Sequence, residues 1–540
     1  MLQPHNTPDG VLAFLRKSYV AAEFKIDLFH LFLQRGISLL RASERFGYII
    51  PTSILNNVYV KSLRDWIAER CCIEQIAISR EMVFPDADVH TCILLLKKEA
   101  DAKKRSTQTV LTTTGLSETF APAPKSFSRV SQASFGSQSG GVWNILVNEA
   151  NDSLIAKLTK NFTRLEEVGV INRGLITGDR SKYFSSTKQS PACVPILQGA
   201  DVHRYHTLPP SEFVSLEKPP AAGGSWDTKV HLAPHKILVR QISRTPTASL
   251  IRGPVAVTGN IFTVRAKSLR DELHLLGIIN SRLTDFFWRT MFADFKTSFP
   301  QVTIASLEQL PIKMAGPKSK KEAALSRQLV KNVEAIQVAH DGVWLLPHAL
   351  QKKAAQLHRT DCALAHYLQK DYAAAVTAEV LINDVRRKGF VRGIVVQSGK
   401  KHIIIAAEVS DTKSASPVVQ PILRLTFTNP VLQQFIYASW RSFLETNARK
   451  TTWTTGKTPQ PVYDLIVNSL QPLTFFQMNA ADNLRAIHGL MKSVAKEVGT
   501  SDLAALEQEI ADTDSAIDHL VYELYELTDE EIAIVEAATK

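Results

Sequence analysis

The sequence predicts an α/β protein with a partial, Rossmann-like open sheet at the front, a mixed α+β module in the middle and a helical C-terminal region. Three observations predict it. Helix-like and strand-like patterns alternate between residues 24 and 98, and short β-like runs divided by turn signals fill residues 151 to about 315. From residue 480 the apolar residues return to helical spacing. At 540 residues, 45% apolar and 21% charged, the chain can bury several cores, and two to four domains are expected.

In AEFKIDLFHLFLQRGISLL, Phe24, Leu28, Leu31, Phe32, Ile37 and Leu39 recur at helical spacing. Asp27 stands near the start of that helix, where a carboxylate favours the dipole. GYIIP reads as a strand closed by its proline. TSILNNVYVKSLRDWIAE opens on Thr/Ser as an N-cap and reads as one amphipathic helix, followed by the strands IEQIAIS and HTCILLLKK. Helix, strand, helix, strand, strand is the order of part of an open α/β sheet. No strand with a Gly-rich turn precedes Phe24, so the expectation is a chain that starts in mid-domain.

Residues 106–145, rich in Ser, Thr, Gly and Ala, are expected to be a flexible connector between a first domain, 1–105, and a β-rich module, 146–318. In that module VPILQG, KILVRQI and VAVTGNIFTVR are strand candidates, and LHLLGIINSRLTDFFWRTMF reads as one helix. A helical and mixed α/β region, 319–480, and C-terminal helices, 481–540, complete the division.

The five cysteines form no CxxC and have no histidine at ligand spacing, so neither a disulfide framework nor a zinc site is expected. Asp86 and Asp88 read as solvated turn acids rather than a metal pair, and His90 as structural. No leader is visible and no uncharged apolar run nears the roughly 20 residues of a membrane span, so a cytoplasmic protein with no membrane partner is expected. The formal net charge is +11, and it is segregated. Residues 152–320 hold 23 Lys and Arg against 13 Asp and Glu, whereas residues 501–540 hold 12 acids and one base. That distribution places nucleic acid first among partners.

Several stretches, taken together, resemble a known family. DLFHLFLQRGISLL, RFGYIIPTSILNNVYVKSLRDWI and MVFPDADVHTCILLL are similar to the post-catalytic half of adenine-specific DNA methyltransferases of type II and type IIG restriction-modification systems. VPILQGADVHRY, KILVRQI and LGIINSRLTDFFWRTMFADFKTSFPQVTIASLEQLPI resemble the TaqI-like C-terminal specificity domain, and AIDHLVYELYELTDEEIAIVE resembles the ending of such proteins. The resemblance implies double-stranded DNA as partner, and S-adenosylmethionine as cofactor of the complete enzyme. It also implies a prokaryotic cytoplasm as the compartment.

These enzymes extrude the target base from the duplex, because its amino group is unreachable inside the stack. By resemblance, Phe84 of the VFP motif is the aromatic that stacks on that base; the alternative is an ordinary core Phe in a turn. Pro85 would fix the backbone after it. The family's early Gly-containing donor motif and its D/N-P-P-Y/F motif precede the helix that matches DLFHLFLQ, and neither is found here. EKPPAAGG lacks the aromatic and PQPVYD interrupts the paired prolines. The expectation is a chain inactive alone, with no cofactor of its own, that needs an N-terminal methyltransferase half supplied in trans. The other readings are a non-catalytic DNA-binding specificity subunit, an inactive remnant, or a fragment of a restriction endonuclease.

In the basic module GLITGDRSKYF offers Thr177, Arg180 and Lys182 and resembles the family's TG segment near DNA. Arg204, Arg240, Arg244 and Lys296 complete the DNA-binding candidates. Arg is shaped for bidentate contact with guanine edges, whereas Lys meets phosphates as a point charge. Asn280 and Ser281, a hallmark of the family, read as helix-packing residues.

Overall fold

The computed structural model describes the chain except residues 1–6, 23–25, 80–82, 85–88, 117–126, 137–140, 218–222, 293–299, 317–318, 355–359, 363–375, 413–416, 448–457, 470–472, 476–479 and 540. The chain forms two compact units, residues 1–329 with 520–540, and residues 330–519. Among the described residues no helix is long and apolar enough to cross a membrane.

The first unit opens with helices α1 (Asp9–Ser18) and α2 (Leu28–Leu39), followed by strand β1 (Arg45–Pro51), helix α3 (Lys61–Ala68), and strands β2 (Cys71–Ser79) and β3 (Thr91–Lys98). Alternation in β3 buries Cys92, Leu94 and Leu96 on one face. That face points into a core shared with Leu33, Ile37, Ile54, Leu63 and Ile67. In α2 the inward face is His30, Leu31, Leu33, Gln34 and Ile37. Leu28, Phe32 and Leu39, expected to help form the apolar stripe, are instead 48%, 62% and 67% exposed.

Two sequence expectations fail here for local reasons. The helix predicted from Thr52 is broken. A four-residue turn of helix, Ser53–Asn56, ends at Asn57, a 3₁₀ turn follows, and α3 begins only at Lys61. Asn57 Oδ1 accepts the backbone N–H of Tyr59, the local competition that makes Asn a helix breaker. The buried Arg64 then donates to the freed carbonyls of Ile54 and Asn57 at 3.0 and 2.8 Å and to Gly141 O at 2.6 Å.

The second failure is the connector. Residues 106–145 supply strands β4 (Thr109–Leu116) and β5 (Ser128–Ser131), which extend the sheet to the order β1-β3-β2-β4-β5. Val110, Val130, Phe135, Trp143 and Ile145 are core residues of that sheet. Composition misled because Val110, Val130 and Phe135 are sparse among Ser, Thr and Gly, and Trp143 and Ile145 fall at the very end of the stretch. The sheet, not the local sequence, gathers them.

The rest of the first unit is built on a four-stranded antiparallel sheet of β6 (Val170–Arg173), β7 (His235–Arg240), β8 (Ala248–Arg252) and β9 (Ile261–Arg265), in the order β8-β7-β9-β6. Against it packs α4 (Leu269–Ile279), while α5 (Arg282–Met291) packs on the helix Asp529–Thr539, two helices where one was expected. Asn280 ends the first, and its side chain both donates to Ala248 O at 2.9 Å and accepts from Ala248 N at 3.0 Å. Ser281 caps the second by accepting from Thr284 N. Asn280 therefore ties helix to sheet, and Ser281, which also donates to Ile278 O, joins helix to helix.

The second unit is an antiparallel sheet of Val376–Val380, Lys388–Ser398, His402–Ser410 and Val418–Phe427 with a short fifth strand, Gln460–Pro461. Helices such as Pro430–Asn447 and Ala480–Val498 carry Phe435, Trp440 and Met491 into its core. The C-terminal region is helical, as expected, over Leu503–Leu524 and Asp529–Thr539.

Candidate nucleic-acid interface

One part of the candidate site lies at an end of the first sheet. β1 and β2 each pair antiparallel with β3, and β4 pairs parallel with β2, so β1, β2 and β4 run in one direction. Pro51 faces Thr91, Ile78 faces Cys92 and Ser79 faces Leu116, so the carboxyl ends of the three strands share one end of the sheet. Open α/β sheets bind ligands at that end. Phe84 lies in the connection from β2 to β3 there, 43% exposed, and is not the core Phe of the alternative reading. Thr52 N donates to His90 O at 2.9 Å and ties the connections after β1 and before β3 together. Pro85, Asp86 and Asp88 lie outside the described residues.

The second part lies at one end of the β6–β9 sheet. In its register Arg240 faces Ile261 and Arg173 faces Phe262, so both arginines stand at the same end. The backbone there is fixed by Gln241 N to Asn260 O at 2.9 Å, Val302 N to Gln241 O at 2.8 Å and Gly174 N to Ile261 O at 3.0 Å. Glycine is required where three segments meet. A Cβ on Gly174 would overlap the carbonyl oxygens of Val257 and Thr258, and one on Gly224, at φ +70°, would overlap Gly174 O.

The predicted DNA-binding residues divide on this frame. Arg240 is half-buried, its Nε is shielded from solvent, and among the described residues neither it nor the exposed Arg244 meets a carboxylate. Thr177 follows Arg173 by four residues, just before Gly178 at φ +75° on an exposed turn. Lys182, 72% exposed, reaches Asp179 at 3.4 Å. Arg180 is committed within the fold, to Gln198 Oε1 at 2.7 Å and to Glu212. Arg204 likewise donates twice to Asn280 O, at 3.0 and 2.5 Å. Lys296 lies outside the described residues. The structure adds Arg173 and Gln241, which the sequence reading passed over. No local signal marks them, since only the sheet register brings them together.

Titratable groups behind this sheet are buried and structural. Lys236 donates to His231 O at 2.9 Å, and burial pushes it down to about 8. Burial also holds His231 and His274 below the ordinary histidine range, and His274 bonds Lys313 O. Cys71, Cys72, Cys92 and Cys193 are buried and unpaired with one another, with Cys71 pushed up by burial to about 11.

Comparison with known proteins bears on both parts. Residues 194–312 match the TaqI-like C-terminal specificity domain, and residues 5–84 match the Eco57I restriction-modification methylase. The chain resembles restriction-modification methyltransferases in two separate segments. The methylase-like segment ends at Phe84, and the specificity segment contains Arg204, Arg240 and Arg244. A putative type II restriction enzyme and methyltransferase of Methanocaldococcus jannaschii is 25% identical over 329 residues, 57% of this chain and 26% of that protein. A type II restriction enzyme and methyltransferase of Escherichia coli is 31% identical over 94 residues, 17% of this chain and 9% of that protein. The chain thus spans about a quarter or less of these curated relatives. Among solved structures, the type IIL restriction-modification enzyme MmeI in complex with DNA aligns over 62% of this chain and 48% of that chain, at 10% identity and TM-score 0.40. The type I restriction-modification S subunit of M. genitalium aligns over 68% and 96%, at 10% identity and TM-score 0.34. Global likeness at these scores carries no argument.

Proposed function

We infer that this chain is the DNA-recognition and base-stacking part of a site-specific adenine methyltransferase of a restriction-modification system. The β6–β9 sheet grips duplex DNA with the Arg240 end, and Phe84 stacks on the extruded adenine. The observation that carries the reading is Arg240. A half-buried guanidinium with no carboxylate partner among the described residues, beside an equally unmatched Arg244, leaves positive charge for an external anion to neutralise. A phosphate backbone supplies that anion repeatedly. Thr177, on the turn that follows, and Lys182, in the short helix Arg180–Tyr183 after it, extend the contact.

S-adenosylmethionine is the donor that the family implies for the complete enzyme. The segments that follow β1 and β2, residues 52–60 and 80–90, contain no glycine for the close backbone approach such a donor needs. The residues present therefore do not fit a donor pocket of their own. We assign donor binding to a separate polypeptide that adds to the open side of β1. β1 is an edge strand, unpaired on its outer side among the described residues, and Leu28, Phe32 and Leu39 of α2 are exposed. Such an edge with apolar flanks is a template for strand addition.

The test is DNA retention by the full chain and by Arg240→Ala, followed across salt concentrations. Retention with a steep salt dependence that the variant weakens supports the reading; binding that ignores salt and Arg240 sinks it. Methylation on adding a donor-binding polypeptide with S-adenosylmethionine separates the enzyme half from a lone specificity subunit, which no addition would activate.

A further inference from the structure

Arg173 and Gln241 form a composite head group at the Arg240 end of the sheet. Arg173 Nε donates to Gly259 O at 2.9 Å, and its Nη2 donates to Gln241 Oε1 at 3.4 Å. Both backbones are held. Arg173 is in β6 opposite Phe262, and Gln241 is fixed through its N–H on Asn260 and its carbonyl from Val302. The contact decides the chemistry the pair presents. Arg173 occupies one of the two lone pairs of Gln241 Oε1 and turns that oxygen toward itself, so the groups left for a ligand are mainly donors, the Gln241 amide NH₂ and the Arg173 Nη1, neither with a partner among the described residues.

A face dominated by donors fits one base edge best. In the major groove guanine offers two acceptors, N7 and O6, whereas adenine offers one acceptor and one donor, and cytosine a donor. A free glutamine would match adenine; one whose oxygen is turned toward an arginine matches it less well. We propose that Arg173 and Gln241 together read a guanine of the target site, while Arg240 and Arg244 meet phosphates. The proposal rests on the DNA-binding reading above and adds which residues carry sequence information. Pre-organisation supports it, because a reading group held by packed backbone loses little freedom on binding.

The experiment is selection of bound duplexes from a randomised DNA pool by the full chain, followed by sequencing, for wild type, Gln241→Leu and Gln241→Glu. Wild type should enrich a motif containing guanine at one position. Gln241→Leu should lose that preference by roughly tenfold to a hundredfold, the range of a bidentate base contact. Gln241→Glu adds a carboxylate acceptor, and should move the preference at that position toward cytosine. Thermal unfolding of each variant checks that the sheet is intact, and a purely structural role for Gln241 would not shift base preference from one letter to another. Identical motifs from all three proteins would overturn the proposal and leave DNA binding standing. A wild type that retains no duplex would instead remove the reading on which it rests.

Discussion

Phe84 and Arg240 become candidates through opposite departures from what their side chains prefer. A large aromatic left 43% exposed where the strands of an α/β sheet end gives up apolar burial, and a guanidinium drawn partly out of water with no carboxylate among the described residues gives up solvation. Each loss is recovered if a base face and a phosphate arrive. Stacking is worth about 1–3 kcal/mol per base, so Phe84→Ala should lower methylation of the reconstituted enzyme by roughly tenfold to a hundredfold with little change in retention of duplex DNA. Restored methylation indifferent to Phe84 would remove its stacking role. His30 makes a separate prediction. Burial, aided by Arg64 and opposed by Asp27, holds it at about 4 against an ordinary value near 6.5. The unfolded chain then binds the extra proton between those values, so folding stability is present above about pH 6.5 and is lost as pH falls toward 4. His231 and His274 act in the same direction. His30→Leu should flatten the fall of melting temperature between pH 6.5 and 4, a change worth up to about 3 kcal/mol; an unchanged slope would show that His30 does not set it.

At the scale of elements, breaks and junctions position the site more than regular runs do. The helix after β1 stops at Asn57 because an Asn side chain captures a backbone N–H, and Arg64 makes the break permanent by holding the carbonyls on either side of it. Two helices meet at Asn280 and Ser281 because one side chain docks on Ala248 while the next caps the new helix. The Gly174 junction fixes where β6 ends and the Thr177 turn begins. Gly174→Ala would drive a methyl group into two carbonyl oxygens and should cost about 3 kcal/mol, whereas Gly178→Ala, with open space but φ +75°, should cost about 1 kcal/mol. Urea unfolding midpoints compare the two, and equal effects would contradict the tight junction.

At the scale of the whole chain, charge and pattern were legible and register was not. Surplus Lys and Arg in residues 152–320 marks the basic module without reference to any fold. If about five phosphates are neutralised there, the logarithm of the binding constant should fall with the logarithm of salt at a slope near −4 to −5, and Arg240→Ala should lessen that slope by about 0.9. A slope near zero would speak against phosphate contact. Strong local periodicity also made β1, β2, β3, β7, β9 and the C-terminal helices readable, because their apolar residues lie close along the chain. The strands in residues 106–145 were missed because their few apolar side chains become a core only beside Ile73 and Leu94. The sequence by itself determined the order of α/β sheet, mixed module and helices, and the resemblance that singled out Phe84. Tertiary structure alone decided that Arg204 and Arg180 are bound to internal partners while Arg240 meets no carboxylate among the described residues, and that Arg173 reaches Gln241. Those outcomes depend on which residues stand opposite one another across strands up to 90 positions apart, and no local pattern in a chain encodes such pairing.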